Sequence, residues 1–476
     1  MSKIKICYIG GGSRNWAWVL MQDLAFEKDI GGTIELYDLK HEDAVTNEII
    51  GNNLMSRFNK GRWKFHANPS LADALSGSDF VIISILPGDF EEMTVDVHTP
   101  EKYGIYQSVG DTTGAGGNIR ALRAIPHFRQ IAREIKKYSP DAWVINYTNP
   151  MSICTRALYK EFSDIKAFGC CHEVFHTQKL LVSVLEEAEL SQPGIIKRSD
   201  IKVNVIGINH FTWIDEAGWN DIDILPYYKK YADKYAGTGS KKQTVNSDAD
   251  EDEIERNKYF NSRDRVKIDL FRRYGLIAAA GDRHLAEFCP PSWYLSSPEM
   301  AESWGFALTP VSWRIKDREK LKQKAIAYRG GSLEMTPIES GEEGIKIIKA
   351  LLGFGDLTTN VNLPNKGQLI DLPLESIVET NACFSLNNIE PVCTKNIPVD
   401  ILALLNHHVL SQEGIIEAVF ENDMEKAFRV FSHDYAVQRL PLYDARTLFN
   451  EMCSLTGIQG LWSNTNYMEL LRRLDD

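Results

Sequence analysis

Short apolar runs alternate with longer amphipathic segments through the first 195 residues of the chain. The run at 80–85 is almost entirely apolar, which is typical of a strand that is buried on both faces of a parallel sheet. The segments between them repeat their apolar positions at the period of a helix. This alternation predicts a doubly wound α/β domain over residues 1–195. The predicted strands occupy residues 3–9, 33–38, 80–85, 143–146 and 166–170, and the predicted helices include residues 43–58, 119–138 and 175–188.

The pattern changes in the second part of the chain. An apolar run at 201–208 is followed by another at 211–216, which predicts two adjacent strands. Helical segments and short strands then follow in no regular order, so residues 196–476 are predicted to form a mixed α+β domain. Residues 236–257 are polar and acidic, which predicts a solvated loop or a mobile segment.

A glycine cluster ends the first predicted strand and opens the first predicted helix. Its residues are Gly10, Gly11, Gly12 and Ser13. Glycines let a pyrophosphate approach the backbone, and the following helix offers free N–H groups and the positive end of its dipole. The next strand ends at Asp38, at the spacing of a ribose-binding carboxylate. The arrangement predicts an NAD-binding domain of the Rossmann type, like that of lactate and malate dehydrogenases. A glycine turn in another α/β sheet is the alternative.

Charge and composition narrow the class of protein further. The 476 residues carry a formal net charge of −12, which disfavours nucleic-acid binding because phosphate contacts need basic patches. No apolar run is long enough to span a bilayer, and the first residues lack the pattern of a secretory signal. The eight cysteines are scattered without the paired spacing of zinc sites. Free thiols in a cytoplasmic protein are therefore expected.

Three residues at the ends of predicted strands or in loops carry candidate chemistry. Asp111 lies in a glycine-rich segment that opens a helix, where a carboxyl group can act as an acid or a base. A helix cap or a structural turn is the alternative. Cys171 and His210 each lie just beyond a strand, and thiolate and imidazole both bind borderline divalent metals. A buried, purely structural cysteine is the alternative there.

Taken together, six ordered motifs resemble family 4 of the glycoside hydrolases. The resemblance extends over nearly the whole chain, and several motifs in order are more specific than any one of them. This NAD-dependent family is an exception to hydrolysis by two carboxylates. The motifs are GGGSRNW at 10–16, DTTGAGG at 111–117, NYTNP at 146–150, CHEV at 171–174, GINH at 207–210 and NLPNKG at 362–367.

The resemblance implies a reaction with transient oxidation of the sugar. In this family NAD accepts a hydride from C3, a base removes the C2 proton, the leaving group is eliminated from C1, water adds and the ketone is reduced again. A divalent metal, usually manganese, holds the C2 and C3 oxygens and stabilises the enediolate. By resemblance, Cys171 and His210 are the metal ligands, Asp111 is the general acid and Asn149 holds sugar hydroxyls.

The resemblance is less specific about the base at C2. Some members of the family place a tyrosine there, and others have Gly-Asp at the corresponding position. The chain has Gly281-Asp282, so Asp282 is the predicted base and Tyr274 is the second choice. A structural acid paired with Arg283 is the alternative for Asp282.

The residues after Cys171 bear on the choice of sugar. His172-Glu173-Val174 resembles the branch of the family that acts on α-linked galacturonides, with His172 among the substrate-binding residues. A uronate carboxylate needs a cation, and an arginine fork suits this geometry, so Arg283 is the predicted partner. His284 and His176 are further options.

Other functions stay open at this point. An α-glucuronidase or an α-glucosidase of the same family is possible, as is an NAD-dependent dehydrogenase of the lactate/malate type that releases NADH. A nucleotide-sensing protein without catalysis is a third class. The expected partner is a small saccharide, with no nucleic acid and no membrane, and the family resemblance implies a homo-oligomer, a dimer or tetramer.

Overall fold

The computed structural model describes residues 2–240, 251–458 and 460, and its strands form two sheets. The larger sheet has nine strands in the order β13-β12-β11-β6-β5-β4-β1-β2-β3, and the smaller one contains β7 to β10. The strands are β1 (Ser2–Ile9), β2 (Ile30–Tyr37), β3 (Trp63–Ala67), β4 (Phe80–Ile83), β5 (Trp143–Asn146), β6 (Lys166–Gly169), β7 (Lys202–Ile208), β8 (Phe211–Trp219), β9 (Ile222–Asp223), β10 (Ile277–Ala278), β11 (Leu357–Pro364), β12 (Ile377–Ser385) and β13 (Asn388–Pro391).

Six parallel strands form the part of the large sheet that the sequence predicted. Their order, β3-β2-β1-β4-β5-β6, is that of dinucleotide-binding domains, and the order reverses between β1 and β4. Ligands bind in such sheets beyond the carboxyl ends of the strands at this reversal. The α/β fold class and the parallel N-terminal sheet are thereby confirmed.

The large sheet also contains strands from the second half of the chain. β11 pairs antiparallel with β6, and β12 and β13 continue the sheet at that edge. A division into residues 1–195 and 196–476 stays a prediction, but this sheet contains strands from both parts. The sequence could not show it, because antiparallel edge strands pair by contacts across more than 180 residues.

Helices cover both faces of the large sheet. One core layer packs α1, α2 and α15 on one face, and another packs α5, α6 and α16 to α18 on the other. The helices are α1 (Trp16–Phe26), α2 (His41–Phe58), α3 (Leu71–Leu75), α4 (Phe90–His98), α5 (Gly114–Tyr138), α6 (Met151–Glu161), α7 (Glu173–Glu187), α8 (Leu225–Tyr235), α9 (Glu251–Phe260), α10 (Arg265–Tyr274), α11 (Asp282–Phe288), α12 (Pro291–Tyr294), α13 (Pro298–Ser303), α14 (Val311–Gly330), α15 (Gly344–Leu351), α16 (Val399–Glu421), α17 (Met424–Ser432) and α18 (Leu442–Leu455).

The smaller sheet supplies a tight turn next to the large one. β7 and β8 pair antiparallel, as predicted, with Ile208 opposite Phe211. The turn between them consists of Asn209 and His210, and His210 has a φ of 64°. A non-glycine residue in this left-handed region is uncommon and is found at functional sites.

A left-handed residue separates two helices in the second half. Asn422 ends α16, and α17 begins two residues later. Within the polar segment predicted at 236–257, residues 241–250 lie outside the described residues, while α9 makes its last part helical. Among the described residues, no helix has both the length and the apolar character needed to cross a membrane.

Candidate active site

The glycine turn after β1 is fixed by close backbone packing. Gly10 has a φ of 94°, and a Cβ atom at this position would lie 2.0 Å from the carbonyl oxygen of Ser84. A Cβ atom at Gly12 would lie 2.6 Å from the Asp43 Cβ. Only glycine fits at these two positions, which the sequence had marked as cofactor-binding.

Asp38 holds the same turn from the end of β2. One carboxylate oxygen accepts a hydrogen bond from the Gly12 N–H at 2.8 Å, and the other accepts one from the Lys40 N–H at 2.9 Å. Burial raises the pKa of Asp38, and these two hydrogen bonds oppose the rise. The carboxylate lies where a cofactor ribose is expected, and each oxygen keeps a further lone pair to accept a hydroxyl.

The start of α1 and the adjoining cavity fit a dinucleotide. The N-cap residue of α1, Asn15, makes no side-chain capping bond, and the first turn contains no acidic residue. The N–H groups of this turn are therefore available to a phosphate. A cavity of about 580 Å³ opens beside Asp43, and its cationic side chains include Arg14, Lys40 and Arg318.

The carboxylate of Asp111 lies close to two imidazoles, those of His210 and His284. The ligand atoms of Asp111, His210 and His284 lie within 4.8 Å of one another. The rings of His210 and His284 have centroids 3.8 Å apart. Thr112 Oγ1 lies 2.9 Å from His210 Nδ1, which leaves Nε2 of that ring for another partner. His284, which sequence reasoning mentioned only for a substrate carboxylate, thus joins the predicted site.

Electrostatics keep this cluster in the form of an ionised carboxylate and neutral imidazoles. Burial alone would raise the pKa of Asp111, but the charge of Arg120, together with the positive charge that His284 and His210 carry when protonated, outweighs it and lowers the pKa. Burial, helped by His284, lowers the pKa of His210 to about 3. An ionised carboxylate and neutral imidazole nitrogens are the forms that ligate metals.

Asn149, which by resemblance holds sugar hydroxyls, lies next to the cluster. Its Nδ2 atom is 3.3 Å from the Asp111 Oδ2 atom, and its buried Oδ1 atom has no hydrogen-bond partner among the described residues. Its backbone oxygen accepts a hydrogen bond from Arg120 Nε at 3.2 Å. A buried acceptor without a partner is costly unless a ligand supplies the donor, such as a hydroxyl group.

Cys171 is buried beside the turn that carries His210. Its thiol is hydrogen-bonded by Asn209, and burial together with the charges of Glu379 and Glu173 raises its pKa. A divalent ion would have to deprotonate this thiol on binding. Neither group of three close metal-binding side chains found in the described residues includes Cys171, so its role as a ligand stays a prediction.

Glu379 is a functional candidate that sequence reasoning missed. This β12 side chain accepts hydrogen bonds from Asn360 at 2.7 Å and from Asn209 at 3.2 Å. Burial raises its pKa to about 7. Its charge acts on the Cys171 thiol because β12 joins the N-terminal sheet, and a lone glutamate in a strand gives no sequence signal.

Glu173 links the start of α7 to α11. One oxygen accepts a hydrogen bond from the Gly281 N–H at 2.7 Å, and the other lies 3.9 Å from His284 Nε2. Burial would raise its pKa, but the neighbouring histidines lower it. Glu173 also forms a second group of possible metal ligands, with His172 and the exposed His176. His172, a predicted substrate residue, has its Nδ1 3.4 Å from Glu342.

Asp282, the first residue of α11, is fully buried. Its oxygens accept hydrogen bonds from Ser262 Oγ at 2.6 Å and from the Lys267 N–H at 3.0 Å. Burial, helped by the charge of Asp264, raises its pKa to about 6. Tyr274, the second choice for the base, packs edge-on against Trp213 in an apolar cluster.

Arg283 fastens the loop that leads to Asp111. Its Nη2 atom donates to the Ser108 carbonyl and to Thr309 Oγ1, while Ser108 Oγ donates back to the Arg283 carbonyl at 2.6 Å. Its buried Nε atom has no hydrogen-bond partner in the described part of the chain. Arg283, which is predicted to bind a substrate carboxylate, therefore already binds groups of the protein itself.

Two buried carboxylates hold the Asp111 loop by its backbone. Glu287 accepts the N–H groups of Val109 at 2.6 Å and Gly110 at 2.9 Å, and burial raises its pKa to about 7. Asp434 accepts the Gly114 N–H, and burial raises its pKa to about 6. Sequence reasoning missed both, because each acts on a segment more than 170 residues away.

The donor set fits a divalent ion. The ligand atoms of one carboxylate and two imidazoles lie within 4.8 Å of one another, close enough to bind the same ion. The buried His284 Nδ1 atom has no hydrogen-bond partner among the described residues. Nitrogen and oxygen ligands of this kind, with a thiol close by, suit a borderline divalent metal.

Comparison with known proteins shows similarity along most of the chain. Residues 5–187 match the model described as family 4 glycosyl hydrolase, and residues 205–437 match the family 4 glycosyl hydrolase C-terminal domain. An alpha-galacturonidase of Thermoanaerobacter italicus is 54% identical, covering 94% of this chain and 95% of its own length.

Solved structures show the same fold. The crystal structure of lplD from Bacillus subtilis, described as a glucosidase, superposes on this chain with a TM-score of 0.88 at 48% identity. The match covers 95% of this chain and 100% of that one. A 6-phospho-alpha-glucosidase from gut microorganisms, in complex with NAD and Mn²⁺, has a TM-score of 0.78 at 20% identity, covering 97% and 99%.

Proposed function

The chain belongs to the family 4 glycosyl hydrolases, and on that premise we propose that it is an NAD- and manganese-dependent α-galacturonidase. The observation that carries the proposal is the close approach of Asp111, His210 and His284 in a protein whose sheet has the strand order of a dinucleotide-binding domain. The choice of a uronic acid as the substrate rests on the 54% identity to an alpha-galacturonidase over nearly the full chain.

The cofactors have defined positions in this proposal. Gly10 to Ser13 and Asp38 hold NAD, which when bound supplies a reversible hydride acceptor at the sugar C3. Cys171 and His210 hold the manganese ion, which when bound supplies a Lewis acid for the sugar oxygens. The proximity of Asp111 and His284 supports a larger ligand set than the two residues expected from the sequence.

The roles of the chain's own residues follow from their surroundings. By resemblance, Asp111 is the acid that protonates the leaving oxygen. Its lowered pKa keeps the carboxylate ionised, however, which favours a role as a metal ligand. Asn149 supports binding of a sugar hydroxyl through its unpartnered Oδ1 atom, and His172 lines the same site.

Two carboxylates compete for the role of base at C2. Asp282 is the proposed base, because a pKa of about 6 lets its carboxylate both accept and release a proton near neutral pH. Glu173 is the alternative, because it lies next to His284, although its lowered pKa makes it a weaker base. Tyr274 has less support, because its ring packs in an apolar cluster.

A solvent-exchange experiment separates these bases. We expect deuterium at C2 of the substrate to be lost to water during cleavage by the wild-type enzyme. Asp282→Asn should block this loss and Glu173→Gln should leave it measurable if Asp282 is the base, and the reverse result assigns Glu173. Full retention of deuterium by the wild-type enzyme would contradict an elimination mechanism.

A substrate panel tests the function as a whole. Aryl α-galacturonides, α-glucuronides, α-glucosides and oligogalacturonides are incubated with NAD and manganese, added singly and together. We expect cleavage of galacturonides only with both additions and without net NADH. Stoichiometric NADH from a small hydroxy acid would instead indicate a dehydrogenase, and preference for another glycoside would correct the sugar. The cytoplasmic location and the dimeric or tetrameric state stay predictions.

A further inference from the structure

Three arginines from different helices converge on Asp111. Arg120 lies on α5, Arg283 on α11 and Arg314 in the first turns of α14. The charge of Asp111 acts on the pKa of Arg314 and of Arg283, and the charge of Arg120 acts on the pKa of Asp111. Guanidinium groups stay protonated at neutral pH, so three positive charges act in this part of the site.

Two of these arginines already have partners. Arg283 donates to Ser108 and Thr309, and Arg120 donates to the Asn149 carbonyl while it is only 5% exposed. Both hold backbone or side-chain groups that shape the site.

Arg314 differs from them, because the described residues give its guanidinium neither a hydrogen bond nor an ion pair. It is partly buried and sits 5.8 Å from the centroid of the Phe260 ring, which Arg283 covers at 4.8 Å. Asp317, one helical turn further along, affects its pKa but lies beyond ion-pair distance. Arg314 also lies in the first turn of α14, three residues after its start at Val311, and the helix dipole disfavours a cation there.

A partly buried cation without a partner is unfavourable unless an anion completes the site. In a uronic acid the carboxylate on C5 and the glycosidic oxygen on C1 lie on either side of the ring oxygen, so Arg314 and Asp111 would bind two groups at the same edge of one sugar. We propose that Arg314 is the specificity-determining residue that binds the carboxylate of the uronic acid, an inference that rests on the proposed α-galacturonidase function. Arg283 positions the Asp111 loop and contributes charge, while Arg314 makes the direct contact.

Three variants test this assignment. Arg314→Gln removes the charge, Arg314→Lys keeps the charge without the planar fork, and Lys316→Gln removes an exposed charge two residues along the same helix. Each holoenzyme is assayed on 4-nitrophenyl α-galacturonide and on 4-nitrophenyl α-galactoside, which lacks the carboxylate. Thermal unfolding and NAD titration of each variant report on folding and on the cofactor site.

We expect Arg314→Gln to lower kcat/KM for the galacturonide by roughly 10- to 100-fold, mainly through KM, because a charge-assisted hydrogen bond is lost. Activity on the galactoside should be unchanged or higher, Arg314→Lys should be intermediate and Lys316→Gln should match the wild type. An equal loss on both substrates, or no loss on the galacturonide, would overturn the assignment.

Binding of free galacturonate, measured by calorimetry, separates this inference from the proposed function. If the wild-type enzyme cleaves no galacturonide, the proposed function fails, while weaker galacturonate binding by Arg314→Gln would still support the site. If the wild type cleaves galacturonides and both proteins bind galacturonate equally, only the assignment of Arg314 fails. Should Arg314→Gln unfold, the same comparison is made with Arg314→Lys.

Discussion

The glycine turn after β1 and the cluster of Asp111, His210 and His284 are built in opposite ways. The glycine turn lies within the first 38 residues, in one strand-turn-helix-strand unit, and its main contacts involve the backbone. The cluster takes its three residues from segments spread over more than 170 residues, and its contacts involve side chains.

The difference teaches which property each region controls. Because the turn is limited by the space around its backbone, we expect its substitutions to act on stability and cofactor affinity. Because the cluster depends on charge and ligand chemistry, we expect its substitutions to act on turnover while the fold persists.

The largest expected effect is that of Asp111→Asn. It keeps the shape but removes the charge, so kcat should fall by about 10²- to 10⁴-fold if the residue is the general acid. Thermal stability and NAD affinity should change little, as the contrast between the regions requires.

The leaving group decides which role of Asp111 is lost. A general acid matters less for a good leaving group, so an aryl galacturonide should lose less activity than an oligogalacturonide. Equal losses together with weaker manganese binding would assign Asp111 to the metal instead. Loss of NAD binding in this variant would break the proposed separation of the two regions.

Gly10→Ala should show the sensitivity of the turn. The added Cβ atom would lie 2.0 Å from the Ser84 carbonyl oxygen at a left-handed φ of 94°, so the free energy of unfolding should fall by roughly 3–5 kcal/mol. Gly77→Ala is the matched control, with a φ of 71° and open space, and should cost only about 1 kcal/mol. If Gly10→Ala and Gly77→Ala unfolded at similar denaturant concentrations, close packing around Gly10 would not be what restricts this position to glycine.

Glu287→Gln should change the pH dependence of stability rather than its magnitude at low pH. The native pKa of about 7 is above the ordinary value of 4.5, so the folded protein binds the proton more tightly than the unfolded chain does. Stability from this group is complete below pH 4.5 and is lost as the pH rises through 7, by roughly 3 kcal/mol.

The glutamine can still accept the N–H groups of Val109 and Gly110 through its Oε1 atom. We therefore expect the variant to lose less stability than the wild type between pH 5 and pH 8 in denaturant titrations of the protein without metal. If the free energy of unfolding changed with pH in the same way in both proteins, Glu287 would not be the group that binds this proton.

The smallest expected effect is that of Asp38→Asn. An amide donor would face one of two backbone N–H groups, Gly12 or Lys40, so NAD affinity should fall by about tenfold. Discrimination against NADP should weaken, because the carboxylate that repels a 2′-phosphate is gone. Glu35→Gln, in the same strand, is the control for charge, and fluorescence titration with both reduced cofactors is the measurement.

Local patterns were sufficient for much of the fold and part of the site. Short apolar runs predicted β1, β4 and β5, and the glycine cluster predicted the turn, because these features depend on residues close in sequence. Asp111 and His210 were found because loops at strand ends carry function in such sheets. Glu379, Glu287 and Asp434 were missed, since each acts across a long sequence separation.

The sequence by itself determined the alternation of strands and helices, the glycine turn and the residues able to carry the chemistry. Short-range sterics and hydrophobic periodicity control those features, and both can be read along the chain. Only the tertiary structure decided that strands from residues 357–391 complete the first sheet, that His284 joins Asp111 and that Arg283 has backbone partners. Those features depend on which distant side chains share a buried space, where charge and unpaired polar atoms interact strongly over a few ångströms.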